Sequence, residues 1–306
     1  MQIKTIALIG AGAIGAYFIS CLTPKLKENF WVVAEGERKA RLEAEGIIIN
    51  GEKYTLNVKT PEEAKGADLV VVGVKYNGLA SVLPMLKTIV TEQTLVLSPM
   101  NGVDSESIIG EAIGSEHVMH SFMFISSERN GNEINFRLGK GTGLNVGEVD
   151  GKPSARTEAL SEVFAGTDFH CTIKEHILKD IWSKYTLNIS RNLPQAIINV
   201  GQGAYADSEH IAYISNRMRD EVVMVAAAKG IDISDQASDK VKPYKVAPEA
   251  RYSTLQDLDA KRQTEIEMFS GTLIRMAKEL GLAVPFNEFA YHAIKSLEEK
   301  NAGLIK

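Results

Sequence analysis

The fold of this 306-residue chain is decided by the stretch Ile6-Ala7-Leu8-Ile9-Gly10-Ala11-Gly12-Ala13-Ile14-Gly15. Four apolar residues predict a buried strand, and the pattern G-x-G-x-x-G follows where a helix begins. Gly10 permits the tight turn, Gly12 lets the backbone approach a pyrophosphate, and Gly15 lets helix and strand pack closely. The helix N-terminus offers N–H groups and a positive dipole end to phosphates. The alternative is a tight turn that binds no ligand. The residues of the predicted dinucleotide site are Gly10, Ala11, Gly12, Ala13, Ile14 and Gly15.

Buried apolar runs alternate with helical patterns through the first half of the chain. Further strands are predicted at residues 31–34, 69–72 and 94–97, with a hairpin turn at Asn50-Gly51. Continuous apolar strands separated by helices are typical of a parallel sheet that is covered on both faces. The first half is therefore predicted to be an α/β domain of the Rossmann type with a doubly wound sheet.

The pattern changes after about residue 118, where turns at Asn130-Gly131 and residues 139–143 predict an antiparallel extension. Beyond residue 174 the apolar spacing predicts long helices, which are placed at 175–190, 208–229 and 255–280. The predicted domains are a dinucleotide-binding Rossmann domain of residues 1–173 and an all-helical substrate and catalytic domain of residues 174–306.

Composition narrows the classes of partner. The net charge of −5 argues against nucleic acid, and the longest apolar runs fall short of the roughly 18 residues of a membrane helix. Cys21 and Cys171 form no CxxC pattern, which fits a reducing cytoplasm. The six histidines show no metal-ligand spacing and G-x-S-x-G is absent, so neither a metal site nor a hydrolase elbow is predicted.

Glu35 ends the second predicted strand, about 20 residues past Gly15. A carboxylate at this point accepts hydrogen bonds from the adenosine ribose hydroxyls, which favours NAD and repels a 2′-phosphate. Arg38 and Lys39 follow closely and counter that repulsion if they turn toward the ribose. The alternative for Glu35 is a solvated loop charge, so the 2′-phosphate state of the cofactor stays open.

Two more polar residues follow predicted strands. Lys75 comes after the strand at 69–72, and Asn101 after the strand at 94–97. Ligands of open α/β sheets bind outside the carboxyl ends of the strands. Lys75 is therefore a candidate for cofactor or substrate contact, and Asn101 for contact with the nicotinamide ribose and the substrate. An exposed loop residue is the alternative for each.

Lys184, Asn188 and Asn192 are spaced four residues apart in a predicted helix that is otherwise apolar. This spacing places an ammonium and two carboxamides along one face, where a polar ligand would satisfy them. A solvated polar face is the alternative. Glu265 is expected inside a later helical stretch, and Ser253 near that stretch's start, where a capping serine is the competing interpretation.

Together these residues resemble the ketopantoate reductase (2-dehydropantoate 2-reductase) family along nearly the whole chain. Their order and spacing carry the resemblance, since each motif alone is common. The motifs are Gly10 to Gly15, Val74-Lys75, Asn101-Gly102, Ile181-Trp182-Ser183-Lys184 with Asn188 and Asn192, and Thr264-Glu265-Ile266 after Ser253.

The resemblance implies reduction of 2-dehydropantoate to pantoate with NADPH, in pantothenate and coenzyme A biosynthesis. It implies that Lys184 donates the proton and that Glu265 organises the site. By the same resemblance Lys75 and Asn101 contact cofactor and substrate, and the substrate ligands include Asn188, Asn192 and Ser253. The expected partner is a small 2-oxo acid, with no nucleic acid or membrane. A homodimer is compatible with the helical second half.

Two departures from the family pattern leave alternatives open. Glu35 stands where the family usually has an arginine for the 2′-phosphate. Gln202 stands where the family has a substrate-binding asparagine, and its side chain is one methylene longer. The alternatives are a reductase of another branched 2-oxo acid with the same mechanism, and a dinucleotide-sensing protein without turnover.

Overall fold

The computed structural model describes residues 1–125, 127–136, 142–239 and 247–306. These residues form two compact units, Met1–Ile177 and Leu178–Lys306. No helix within the described ranges is long and apolar enough to cross a membrane.

The described part of the N-terminal unit contains two sheets. The larger has the strand order β12-β11-β8-β7-β6-β1-β2-β5, and the smaller has the order β4-β3-β10-β9. The strands are β1 (Ile6–Ile9), β2 (Phe30–Val33), β3 (Ile47–Ile49), β4 (Glu52–Tyr54), β5 (Val58–Lys59), β6 (Leu69–Val72), β7 (Leu95–Leu97), β8 (Val118–Phe124), β9 (Ser127–Asn130), β10 (Glu133–Phe136), β11 (Gly143–Gly147) and β12 (Cys171–Ile173).

Six neighbouring strands of the larger sheet, β5-β2-β1-β6-β7-β8, are parallel. In chain order within this sheet they are strands 3-2-1-4-5-6, which is the doubly wound order of dinucleotide-binding folds. The order reverses between β1 and β6, and the ligand crevice of such sheets lies at that reversal. Every residue of β1 and β6 is buried, as expected for strands covered on both faces. The predicted Rossmann-type domain is confirmed.

The helices of this unit follow β1, β2, β6, β7 and β11 in the chain. They are α1 (Ala13–Leu26), α2 (Gly36–Glu45), α3 (Leu79–Ile89), α4 (Ser105–Ile113) and α5 (Ala155–Phe164). The hairpin predicted at Asn50-Gly51 joins β3 to β4, and both residues have positive φ, as a type I′ turn requires.

The antiparallel extension is present in part. β8 pairs with β11 and β9 pairs with β10 in antiparallel fashion, whereas β10 also pairs with β3 in parallel. The turn predicted at residues 139–143 lies largely outside the described residues.

Helices make up all the regular structure in the described part of the second unit, so the prediction of a helical C-terminal domain is confirmed. The helices that begin after residue 176 are α6 (Ile177–Leu187), α7 (Leu193–Ile198), α8 (Ala204–Asp207), α9 (Glu209–Ala228), α10 (Ser253–Asp259), α11 (Thr272–Glu279) and α12 (Pro285–Asn301). Two π-helical segments interrupt them: the first π segment, Asn188–Asn192, and the second π segment, Glu267–Gly271.

The continuous helix predicted over residues 255–280 is wrong. α10 ends at Asp259, and Lys261 has a φ of +52°, which leaves the right-handed helical region. The backbone N–H and hydroxyl of Thr264 then donate to a carboxylate oxygen of Glu298, both at 2.7 Å, instead of continuing a helix. Tertiary partners therefore override the apolar spacing in this segment.

Candidate active site

The glycine turn at the reversal point has no space for side chains at two positions. Gly10 has a φ of +105°, and a Cβ built there would lie 2.7 Å from the carbonyl oxygen of Gly73. A Cβ on Gly15 would lie 2.0 Å from the carbonyl oxygen of Gly10. Gly10 and Gly15 are therefore required by the protein's own packing of β1, α1 and the end of β6.

Gly12 differs from its two neighbours in the motif. Among the described residues, the nearest atom to a Cβ built on Gly12 is 3.9 Å away, so protein packing does not require glycine there. Gly12 is also the N-cap of α1, and no described side chain caps this helix end. The first N–H groups of α1 are thus left for a ligand. An open glycine at an uncapped helix N-terminus fits a bound pyrophosphate.

Three predicted residues follow neighbouring parallel strands. Glu35 is exposed just beyond β2, Lys75 is exposed beyond β6, and Asn101 is half-buried in the loop beyond β7. Because β2, β1, β6 and β7 are adjacent and parallel, their following loops leave the sheet at one edge, the edge of the glycine turn. Lys39 forms an ion pair with Glu43 one helical turn further along α2.

A buried hydrogen-bond network supports the loop that carries Asn101. The Ser98 hydroxyl, just past β7, donates to the Ser105 hydroxyl at 2.9 Å, which donates to Glu106 at 2.9 Å. The second carboxylate oxygen of Glu106 accepts from the N–H of Ser121 on β8 at 3.3 Å. Burial raises the pKa of Glu106 to about 7 because the charged form loses its hydration, although these donors oppose the shift.

The predicted polar stripe, which consists of Lys184, Asn188 and Asn192, begins in α6 and continues into the first π segment. Lys184 and Asn188 are half-buried, and Asn192 is 7% exposed. In an α-helix, residues four apart are offset by about 40° around the axis. A π-helical turn contains more residues than an α-helical turn, so the four residues from Asn188 to Asn192 make less than one full turn. The side chain of Asn192 therefore returns toward the direction of Lys184 around the helix axis. The stripe is therefore straighter than a continuous α-helix would make it.

The first π segment has identifiable causes. Pro194 has no N–H, so the carbonyl of Ser190 lacks its α-helical partner four residues on. The Ser215 hydroxyl of α9 donates to this carbonyl at 2.6 Å, and the Tyr205 hydroxyl of α8 donates to the carbonyl of Arg191 at 2.6 Å. Hydroxyl groups from two other helices thus satisfy the carbonyl oxygens of Ser190 and Arg191 in the π segment.

Gln195 connects this segment to Ser253. Its side chain is fully buried and bridges two backbone groups: its amide donates to the carbonyl of Ala250 and its oxygen accepts from the N–H of Tyr252, both at 2.8 Å. Ser253 is the first residue of α10. Asn192 and Ser253 therefore lie on segments that are fixed to each other.

Tyr185 makes the corresponding connection to Glu265. Its buried hydroxyl donates to the carbonyl of Phe269 in the second π segment at 2.6 Å. Glu265 lies in the bend before that segment, and its carbonyl accepts from the N–H groups of Met268 and Phe269 at 3.1 Å. The expectation that Glu265 lies inside a helix is wrong. The structure nevertheless brings the segments of Lys184 and Glu265 together within one unit.

Tyr185, Gln195 and the two π segments were not identified from the sequence. A signal for Gln195 was present, because a lone amide within the run Leu193-Pro194-Gln195-Ala196-Ile197-Ile198 needs buried partners. Pro194 was the signal for the irregular backbone.

A glycine turn at the reversal point of a doubly wound sheet is typical of dinucleotide-binding proteins, and here a helical unit with a polar stripe follows it in the chain. The family model described as ketopantoate reductase PanE/ApbA matches residues 6–151, and its C-terminal counterpart matches residues 176–298. The chain belongs to the ketopantoate reductase family. It is accordingly an NAD(P)-dependent oxidoreductase, and the alternative of a sensor without turnover is not supported.

The chain is also similar to a relative of known name and to solved structures. A 2-dehydropantoate 2-reductase from Archaeoglobus fulgidus is 26% identical over 97% of this chain and 99% of its own. D-mandelate dehydrogenase in complex with NADH and anilino(oxo)acetate has a TM-score of 0.82 at 21% identity, over 97% of this chain and 99% of its own. A dimeric ketopantoate reductase from Staphylococcus aureus has a TM-score of 0.76 at 20% identity, with the same coverage. The two structures establish the shared fold.

Proposed function

We propose that this protein reduces a 2-oxo acid to the 2-hydroxy acid, with 2-dehydropantoate as substrate and pantoate as product, on the route to pantothenate and coenzyme A. The observation that carries the proposal is the network of the helical unit. Lys184, Asn188 and Asn192 share one stripe, and hydrogen bonds of Tyr185 and Gln195 fix the segments of Glu265 and Ser253 to it.

The N-terminal unit supplies the dinucleotide site in this proposal. Residues 10–15 hold the pyrophosphate with the N–H groups of α1, and Glu35 accepts hydrogen bonds from the adenosine ribose. Lys75 and Asn101 contact the cofactor and the substrate from the same edge of the sheet. A bound nicotinamide dinucleotide supplies the hydride. Glu35 favours NADH, whereas the family resemblance favours NADPH.

The helical unit supplies the acid and the substrate ligands. As the C2 carbonyl carbon is reduced, negative charge develops on its oxygen, which the ammonium of Lys184 stabilises and then protonates. Asn188, Asn192 and Ser253 hydrogen-bond the substrate and fix its orientation, which lowers the entropic part of the barrier. Glu265 orients the groups of the site. No step in this scheme needs a metal ion.

A second candidate is the reduction of another 2-oxo acid by the same chemistry. Two points favour it: Gln202 stands where the resemblance to the family implies an asparagine, and the fold is shared with a D-mandelate dehydrogenase. Gln202 is 8% exposed and its backbone N–H donates to the carbonyl of Ala250, close to Ser253. The longer amide would change the size of acid that fits.

The test is a panel of 2-oxo acids, each assayed with NADH and with NADPH. The panel holds 2-dehydropantoate, 4-methyl-2-oxopentanoate and phenylglyoxylate, and the measured quantity is kcat/KM from cofactor oxidation. The proposal expects the highest value for 2-dehydropantoate. A higher value for another acid replaces the substrate and keeps the chemistry, whereas no oxidation with any acid contradicts the reductase.

A homodimer is part of the proposal, by similarity to the dimeric Staphylococcus aureus protein. Sedimentation velocity at micromolar concentration is expected to give twice the chain mass. The monomer mass at every concentration would contradict it.

A further inference from the structure

Arg219 is a buried cation in the middle of α9. Only 3% of its surface is exposed, and its Nη1 atom donates to the carbonyl of Gln236 at 3.4 Å. Its Nε atom is buried and has no hydrogen-bond partner among the described residues. Arginine is almost never fully buried unless it is paired, because its charge loses hydration.

A second guanidinium lies on the first π segment, which packs against α9 through the Ser215 hydroxyl. Arg191, in the first π segment, has its Cζ atom 4.5 Å from the ring centroid of Tyr205, and its Nε atom is likewise buried without a partner among the described residues. Burial and the nearby charge of Arg191 together lower the pKa of Arg219 to about 10. Arg219 therefore stays charged at neutral pH, within electrostatic range of the Arg191 guanidinium.

Among the described residues, no carboxylate forms an ion pair with this arginine pair, Arg191 and Arg219, although the charge of Asp220 acts on Arg219 and partly opposes the lowering of its pKa. The adjacent Asp220 pairs with Arg217 at 3.0 Å and accepts from Ser238. The sequence of the remaining residues, 126, 137–141 and 240–246, contains neither Asp nor Glu.

Other buried groups without described partners lie on the elements around the pair, and all of them can donate hydrogen bonds. The backbone N–H of Tyr205, the residue stacked on Arg191, donates to the carbonyl of Gln202 at 3.4 Å. On these elements, the other buried side-chain atoms without a described hydrogen-bond partner are Ser190 Oγ, Gln202 Nε2 and Thr254 Oγ1. A region rich in unsatisfied donors and positive charge is complementary to an oxyanion, which arginine binds in bidentate geometry.

We propose that Arg191 and Arg219 form an oxyanion subsite that binds a carboxylate or phosphate group. Arg191 and Asn192 both lie in the first π segment, so the subsite shares that segment with the proposed substrate stripe. The oxyanion is either the distal carboxylate of a 2-oxo diacid, which rests on the second candidate function above, the reduction of another 2-oxo acid, or a separate small anion. The two sources share this chemistry and are distinguished by experiment.

The first experiment measures anion binding without turnover. Glutarate and inorganic phosphate are titrated calorimetrically into the wild type, Arg219→Met, Arg191→Met and the control Arg217→Met, whose arginine is exposed on the same helix. The wild type and the control are expected to bind at least one anion, with a loss of about tenfold to a hundredfold in each pair variant, since charged hydrogen bonds are removed. No binding to the wild type, or equal binding to all four proteins, overturns the subsite.

Folding of the variants is checked by thermal unfolding with and without the anion. If Arg219→Met does not fold, Arg191→Met and Arg219→Lys carry the test, since Lys keeps the charge but not the bidentate geometry. Arg219→Lys is expected to bind more weakly than the wild type, and unchanged binding in both variants overturns the proposal.

The second experiment assigns the source of the oxyanion. It compares kcat/KM for 2-oxoglutarate and 2-oxopentanoate, which have the same chain length and differ in the distal carboxylate. A preference for 2-oxoglutarate that Arg219→Met abolishes assigns the subsite to the substrate. Anion binding without such a preference assigns it to a separate anion. If no 2-oxo acid is reduced, the reductase proposal fails while the titration still decides the subsite.

Discussion

The glycine turn and the polar stripe carry their chemistry in different ways. At the turn, the backbone is the functional group: Gly10 and Gly15 are fixed by contacts within β1, α1 and the end of β6, and Gly12 leaves its helix end open. Along the stripe, side chains are the functional groups, and Lys184 and Asn192 depend on hydrogen bonds from distant helices. The first region is local in sequence, and the second is assembled by tertiary structure.

The difference predicts how each region responds to substitution. A change in the turn should act through sterics on folding or on dinucleotide binding. A change in the stripe should act on turnover, and a change in its supports should act on both stability and turnover. The predictions below test this division in order of decreasing effect.

The substitution Lys184→Ala is expected to cause the largest effect. Removal of a general acid lowers turnover by about 10²–10⁴-fold, while the dissociation constant of the dinucleotide stays nearly unchanged because the turn lies in the other unit. Steady-state kinetics and a fluorescence titration of the cofactor measure the two quantities. Lys179→Ala is the control, since Lys179 lies on the same helix and pairs at the surface with Asp235 at 3.2 Å. Near-normal turnover of Lys184→Ala would remove the proposed role.

Gly15→Ala and Gly12→Ala should separate packing from ligand binding. The new Cβ at position 15 overlaps the carbonyl oxygen of Gly10, so the free energy of unfolding should fall by about 3 kcal/mol or more. The Cβ at position 12 meets no described atom within 3.9 Å, so stability should change by less than about 1 kcal/mol while cofactor affinity falls. Denaturant unfolding measures the stability of each variant, and cofactor titration measures its affinity. Equal destabilisation by both variants would contradict the claim that packing requires Gly15 but not Gly12.

Glu106→Gln should change how stability depends on pH. The pKa of Glu106 is about 7 in the folded protein and near 4.5 when unfolded, so the folded state holds a proton that the unfolded state loses. Its contribution to the free energy of unfolding therefore falls as pH rises from about 4.5 to 7, by about 3 kcal/mol. The variant should lack this decline, and Glu111→Gln on the exposed side of α4 should retain it. Denaturant unfolding from pH 4 to 8 measures the free energy of unfolding at each pH. If this free energy depended on pH in the same way for the wild type and Glu106→Gln, Glu106 would be ionised when buried, and the prediction would be wrong.

Tyr185→Phe should give the smallest effect of the series. It leaves the buried carbonyl of Phe269 without its 2.6 Å hydrogen bond and should cost about 1–2 kcal/mol of stability. Because this bond connects the segments of Lys184 and Glu265, kcat should also fall, by several-fold. Tyr213→Phe, at a residue that is 59% exposed, should change neither quantity. A loss of stability without any change in kcat would make the bond purely structural.

The sequence predicts most of the N-terminal unit because its signals are short-range. The run from Ile6 to Gly15 specifies strand, turn and helix within ten residues, and Asn50-Gly51 specifies a hairpin within two. Glu35, Lys75 and Asn101 could then be placed at one edge, because parallel strands end together.

The helical unit was predicted less completely because its backbone depends on distant partners. Apolar spacing alone favours a continuous helix through Glu265, whereas Lys261 and the bonds of Thr264 to Glu298 interrupt it. The same spacing does not distinguish an α-helix from a π segment, which here depends on Ser215 and Tyr205. The buried pair Arg191 and Arg219 has no signal in sequence spacing at all, because α9 brings the second arginine to the first.

The most direct test of the account is a crystal structure with a nicotinamide dinucleotide and a 2-hydroxy acid both bound. The account predicts that Nζ of Lys184 lies within hydrogen-bond reach of the C2 oxygen, about 2.6–3.2 Å, with the pyrophosphate against Gly12. An ammonium turned to bulk water, or a 2-hydroxy acid bound away from residue 184, would contradict it.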